Sequence, residues 1–144
     1  MKSLIAFTTL FMSVFSSCCT TNQAKSNSQH EAATPLYNTK WLLKKISKAG
    51  TLQDVNTNAF IRFDKEKNSA GGNGSCNSFG STTKIDGQSV NFSNTFSTKM
   101  FCHDVQSIED SFFGLLEKVT RYEISGNQLK LFQDNAVVLE FVSE

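Results

Sequence analysis

Proline is almost missing from this 144-residue chain, with Pro35 its one instance. Tryptophan and tyrosine are scarce too, one and two residues against 13 Phe. Because proline cannot donate to a strand ladder, a Phe-rich, β-branched and nearly proline-free sequence suits a small β-rich core. Net charge is also lacking. Lys2 is the only charged residue before position 18, so the remainder carries 13 Lys+Arg against 13 Asp+Glu. That balance, without a block of either sign, argues against a nucleic-acid binder, which would show a basic surplus or stripe. No internal repeat of useful length is present. No apolar run is long enough to span a bilayer core of about 30 Å comfortably as a permanent helix.

The longest apolar stretch is the N-terminal Leu4–Phe15, interrupted by Thr and Ser and preceded by Lys2. A positive start, a short apolar middle and small residues at the exit are the parts of a secretory signal peptide, here residues 1–17. Phe15-Ser16-Ser17-Cys18 resembles the lipobox of bacterial lipoproteins, with Phe15 where Leu is commoner. The resemblance implies that Cys18 becomes the first mature residue and carries acyl chains. Two or more chains, each buried methylene worth ~0.8 kcal/mol, would anchor the protein stably in a membrane. The alternative is an ordinary cleaved signal and a free secreted product. Cys19 rather than Asp follows Cys18, which leans towards the outer membrane of the cell envelope. Residues 18–35 contain no large apolar side chain and read as a flexible tether, in which His30 is a solvated residue rather than a ligand. Residues 36–144 are one domain's worth of chain.

Within that domain, Lys40–Ser47 and Ala59–Asp64 read as strands, the latter with the period-two pattern of one buried face. Asn68–Gly74 is turn-rich. Ser75–Phe79 and Thr82–Ile85 extend again around a bend or bulge at Gly80, and Asp86-Gly87 signals a hairpin into Ser89–Phe92. Phe96–Met100 is another short extended piece. Val105, Ile108, Phe112, Leu115, Leu116 and Val119 recur at helical steps. Asp104 is the expected N-cap, Glu109 and Asp110 suit the helix start, and Lys118 and Arg121 suit its end. Gly114 is expected to permit a close approach to a sheet. Three strands follow, around Tyr122–Ile124, Leu129–Leu131 and Val137–Val142, with turns at Gly126-Asn127 and Asp134-Asn135. The expected class is α+β: a curved antiparallel sheet of about eight short strands, partly barrel-like, wrapping one helix.

Gly72-Asn73-Gly74-Ser75-Cys76-Asn77 and the later Thr98-Lys99-Met100-Phe101-Cys102 together resemble the motifs of the META domain, the heat-shock HslJ-like family, as does a Trp-bearing first strand at Trp41. The resemblance covers roughly Leu36–Val142. It singles out Gly72, Gly74, Asn77, Thr98 and Met100 as structural-motif residues. Phe101 and His103 depart from the family's commoner small residue before the second Cys and Pro after it. The family implies an envelope or secreted protein without an established enzyme activity, linked to heat-shock response, antibiotic resistance and, in some bacteria, motility or virulence.

Cys76 and Cys102 are the pair expected to bridge, both lying in the globular part of an exported protein. The alternative is two buried free thiols. Closing about 26 residues would stabilise by ~3.5 kcal/mol in the chain-entropy model. Cys102-His103-Asp104 invites a catalytic reading, but neighbours on an extended segment point to opposite faces. A zinc site from Cys76, Cys102 and His103 would need a further ligand. Gly71-Gly72-Asn73-Gly74 lacks the Lys-Ser/Thr of a phosphate loop and is expected to be a tight turn or bulge needing positive φ. Asn77 is expected to lock nearby backbone through its side chain, and Trp41 to sit in the core. No catalytic residue, metal or cofactor is expected. The favoured reading is a lipid-anchored, non-enzymatic envelope protein with an envelope-stress-related binding or structural role and protein partners there. The rivals are a small-ligand carrier and, least, a thiol enzyme using Cys102.

Overall fold

The computed structural model describes residues 32–144. The lipobox, Cys18, Cys19 and His30 lie outside the described residues. Nine strands form one antiparallel sheet: β1 (Trp41–Lys48), β2 (Thr51–Asp54), β3 (Phe60–Asp64), β4 (Ser69–Asn73), β5 (Ser78–Asp86), β6 (Ser89–Ser97), β7 (Arg121–Ser125), β8 (Gln128–Gln133) and β9 (Ala136–Ser143). The order is β2-β1-β3-β4-β5-β6-β7-β8-β9, and β1 also pairs with β9, so the sheet curls into a ring with β2 appended. One helix, α1 (Gln106–Leu116), connects β6 to β7. The α+β class and the curved, barrel-like sheet expected from the sequence are present.

Alternation decides which side chains turn inward. Trp41, Leu43, Ile61, Phe63, Leu129, Leu131, Leu139 and Phe141 are all at most 2% exposed. Filling the interior with such groups stabilises by ~1.5–3 kcal/mol per large side chain. From α1, Phe112 packs edge-on against Phe79 (5.4 Å between centroids) and Phe141 (6.4 Å). The Trp41 Nε1–H donates to the Leu36 carbonyl at 3.0 Å, satisfying the buried indole.

The register sorts the loops onto two rims. On one lie the β3–β4 turn (65–68), the β5–β6 turn (87–88) and the β7–β8 turn (126–127). The chain meets this turn rim at Thr34, whose N–H donates to the Gly126 carbonyl at 2.9 Å. On the other rim lie the start of β3, the end of β4, the start of β5 and the end of β6. The ring is thinnest between β6 and β7. They meet only at Ser89↔Arg121, flanked by bonds from Val90 N–H to the Thr120 carbonyl (3.0 Å) and from Tyr122 N–H to the Gln88 carbonyl (2.9 Å).

Several local expectations differ from the structure. The turn-rich Asn68–Gly74 contains a strand, β4, and none of its glycines has positive φ. Gly72 is required by close approach instead: a Cβ there would stand 2.1 Å from the Phe60 carbonyl oxygen. β2 was not expected, because Thr51–Asp54 is polar, with only Leu52 as a large apolar residue, half-buried. Residues 75–77 bend rather than extend, and the predicted extension over Phe96–Met100 ends at Ser97 as part of β6. The bend near Gly80 is a register shift between Gly80 and Thr82. Val105, not Asp104, precedes the first turn of α1, without a side-chain cap bond. The helix ends at Leu116, so Lys118 and Arg121 lie beyond its last turn. Gly114 is exposed, with nothing within 4 Å of a built Cβ, so it serves no close approach.

Candidate functional site

The rim opposite Thr34 gathers the two motifs. After β4, the Asn73 Oδ1 accepts the Ser75 N–H at 2.9 Å and the Gly74 N–H donates to the Asn77 carbonyl at 2.8 Å, closing a tight turn over 74–77. Gly74 is buried beneath α1, where a Cβ would meet Phe113 at 2.6 Å and the Glu109 Oε2 at 3.0 Å. Ser75 carries the positive φ (123°) of this turn.

Asn77 is 3% exposed and uses the full capacity of its side chain. Its Nδ2 donates to the Met100 carbonyl (2.9 Å) and to Glu109 Oε1 (2.5 Å). Its Oδ1 accepts the Thr98 hydroxyl and the Met100 N–H, both at 2.8 Å. Glu109, only 2% exposed, completes the arrangement. Its Oε2 accepts the backbone N–H of Cys76 (3.0 Å) and of Asn77 (2.6 Å). A buried carboxylate with three N–H donors is compensated for its desolvation, and charge-assisted bonds are the stronger kind.

The Cys76–Cys102 disulfide spans the same two segments, with Cα atoms 5.9 Å apart. The Cys102 carbonyl then accepts the N–H groups of Val105 (3.1 Å) and Gln106 (2.9 Å), starting the helix from the bridge itself. Cys76, Asn77, Thr98, Met100 and Cys102 therefore converge. Gly74 lies under them, and Gly72 acts one strand away.

With its sulfur bonded to Cys76, Cys102 offers no thiolate in this state. His103 and Asp104 stand in solvent with side chains 91% and 99% exposed, 3.4 Å apart. Cys76, Cys102 and His103 do not form a ligand set, and among the described residues no three His, Cys, Asp or Glu side chains converge to hold a metal. The network instead fixes the course of residues 97–102, and it does so while leaving large apolar groups outside: Phe96 is 72%, Met100 61% and Phe101 75% exposed. Met100 and Phe101 border a small cleft of about 210 Å3 that Asn77, Glu109 and Phe113 also line, while the Phe96 ring lies over Gly80.

Glu109 is the site residue that sequence reasoning missed. By sequence alone it is simply a charge that suits the helix start. The available signal was its phase, since Glu109, Phe112 and Leu116 are spaced by three and four and are the buried residues of α1.

No curated protein matches the chain. Among solved structures, a protein from Burkholderia xenovorans determined by NMR shares 21% identity at a TM-score of 0.64, over 76% of this chain and 83% of its own. A second NMR structure shares 18% identity at a TM-score of 0.55, over 72% and 88%. Both are likenesses of fold. The model of the META domain family matches residues 34–144, the stretch that holds the whole ring and its asparagine–glutamate lock, and the chain belongs to that family.

Proposed function

We propose that this META-family protein is a lipid-anchored, non-enzymatic module of the cell envelope. It holds a pinned apolar loop out to a protein partner, in an envelope-stress-related binding or structural role. The observation that carries this reading is the exposure of Phe96, Met100 and Phe101 around a segment fixed by a disulfide and by three bonds to one asparagine. Large apolar side chains left in water on a rigid support are a mark of a contact surface. A preorganised loop loses little entropy when a partner closes on it.

The position of the loop adds support. The described chain begins at the turn rim, where Thr34 bonds to Gly126, and the apolar loop lies on the opposite rim. An anchor at Cys18, some sixteen residues before Thr34, would attach its tether at the turn rim, the end of the ring opposite the loop. The Phe-filled interior argues against a carrier whose ligand sits inside the ring.

A photo-crosslinking residue at position 101, in protein expressed in the envelope, tests the reading against the same residue at position 66 on the turn rim. The expected outcome is a reproducible protein adduct from 101, absent from 66 and diminished by Phe96→Ser. Equal or no adducts from both positions would overturn the partner reading. Intact mass of protein purified from the envelope tests the anchor separately: an unmodified Cys18 would sink it.

A further inference from the structure

The outer face of the sheet carries a second feature, distinct from the apolar loop. Leu42, Phe60, Asn73 and Ser78 are successive register partners across β1, β3, β4 and β5, and so form one row on the outside of the ring. Above the row lies a cleft of about 700 Å3. One wall is the segment before β3, residues 56–58, tied across the cleft's end by a 2.5 Å bond between the Thr57 and Ser75 hydroxyls. The other side is cationic. Lys40 and Lys44 line it, and Arg62 stands at its edge, its guanidinium 5.7 Å from the centre of the Phe60 ring.

The charges do not balance. Lys40 pairs with Glu144. That carboxyl is held below the usual carboxylate range, chiefly by its bond to Lys40 and further by the charges of Arg62 and Lys44. Among the side chains, one carboxylate thus faces three cations. Among the described residues, Lys44 and Arg62 form no ion pair, and the side chains of Asn56, Asn58 and Ser78 make no hydrogen bond within the protein. The cleft therefore combines an apolar floor, uncommitted amides and a hydroxyl, and two uncommitted cations. A bare anion would use only the cations. A neutral sugar would leave the cations idle. A carboxylated sugar uses all three, its C–H face on the floor, its hydroxyls on the amides and its charge on Lys44 and Arg62.

We propose that this cleft is a binding site for a carboxylated saccharide, seated on Leu42 and Phe60, hydrogen-bonded by Asn56, Asn58 and Ser78, and charge-paired with Lys44 and Arg62. The site does not depend on the apolar loop or on a lipid anchor.

Calorimetric titration of the purified protein tests it, with N-acetylmuramic acid and trigalacturonic acid as the carboxylated probes. N-acetylglucosamine and maltotriose are their neutral counterparts, and inorganic phosphate is the bare anion. At least one carboxylated probe is expected to bind about tenfold more tightly than its neutral counterpart, and which one binds separates a wall sugar from a uronate polymer. Lys44→Gln and Arg62→Gln each weaken that binding by about tenfold, and Asn58→Ala by about threefold, with the melting temperature unchanged because these side chains are exposed. The proposal is overturned if carboxylated and neutral probes bind alike, or if none binds at millimolar concentration. It is equally overturned if phosphate binds as well as the sugar and Asn58→Ala has no effect, since the patch would then be a plain anion site.

Discussion

The hairpins of the turn rim and the motif segments of the other rim are fastened by different means. The turn rim is closed by local chemistry: Gly87 and Gly126 take positive φ (56° and 55°) in two-residue hairpins, Asn68 does so at 48°, and Asp64 accepts the Lys67 N–H three residues along. The motif segments on the other rim, which also holds the two-residue turn at 134–135, are held by partners far apart in sequence. Asn77 reaches Glu109 across 32 residues and Met100 across 23, and the disulfide spans 26. Local closure forms and breaks piecemeal. Long-range closure costs more entropy to form and, once formed, behaves as a unit. The rim that carries the exposed apolar loop is thus the more cooperatively fastened of the two.

If so, the largest effect should follow the loss of the hub. Asn77→Ala strands Glu109 Oε1, the Thr98 hydroxyl and both backbone groups of Met100. At ~1–3 kcal/mol for each group left without a partner, offset where water enters, denaturant unfolding should show a loss of about 4 kcal/mol. A loss under about 1 kcal/mol would mean the network adds little beyond solvent. The paired change Cys76→Ser with Cys102→Ser should cost ~3.5 kcal/mol in the same measurement. Hydrogen exchange should then rise at residues 97–105 while the amides next to the turn at 87–88 stay protected; uniform loosening would erase the contrast between rims.

A pair of glycines sharpens the comparison at smaller scale. Gly72→Ala drives a Cβ into the Phe60 carbonyl and should cost about 3 kcal/mol by separating β3 from β4. Gly87→Ala meets nothing within 4 Å and costs only the strain of its positive φ, about 1 kcal/mol. The smallest effect is in pH. Burial, and then the neighbouring Tyr37, raise the Tyr122 phenol above its ordinary 10.0. The folded state keeps that proton longer than the unfolded chain, so this contribution is fully present below about pH 10 and is lost as pH climbs through the raised folded value. Thermal melts between pH 9 and 11 should fall less steeply in Tyr122→Phe than in the parent.

The same contrast explains what could be read in the residues. Alternation and turn chemistry coincide in Ile61 and Phe63, Asp86-Gly87, Leu129 and Leu131, and Leu139 and Phe141, so those strands were legible, and with them the class of fold. β4 was hidden because its glycines, which let strands approach, carry no side chain to alternate. β2 was hidden because it is an outer, mostly polar strand. At the site, the cysteines and Asn77 stood out by motif. Glu109 did not, because its burial is imposed by a partner in another segment. The cleft over Leu42 and Phe60 was invisible for a related reason, its walls coming from five stretches of chain.

The narrow seam between β6 and β7 has its own consequence. A cylinder stitched along one side by so few links will unroll there before it tears anywhere else. Opened at that seam, the domain would be a flattened, eight-to-nine-stranded ribbon with β6 and β7 as its free margins. In a crowded compartment those margins are where two damaged copies would join.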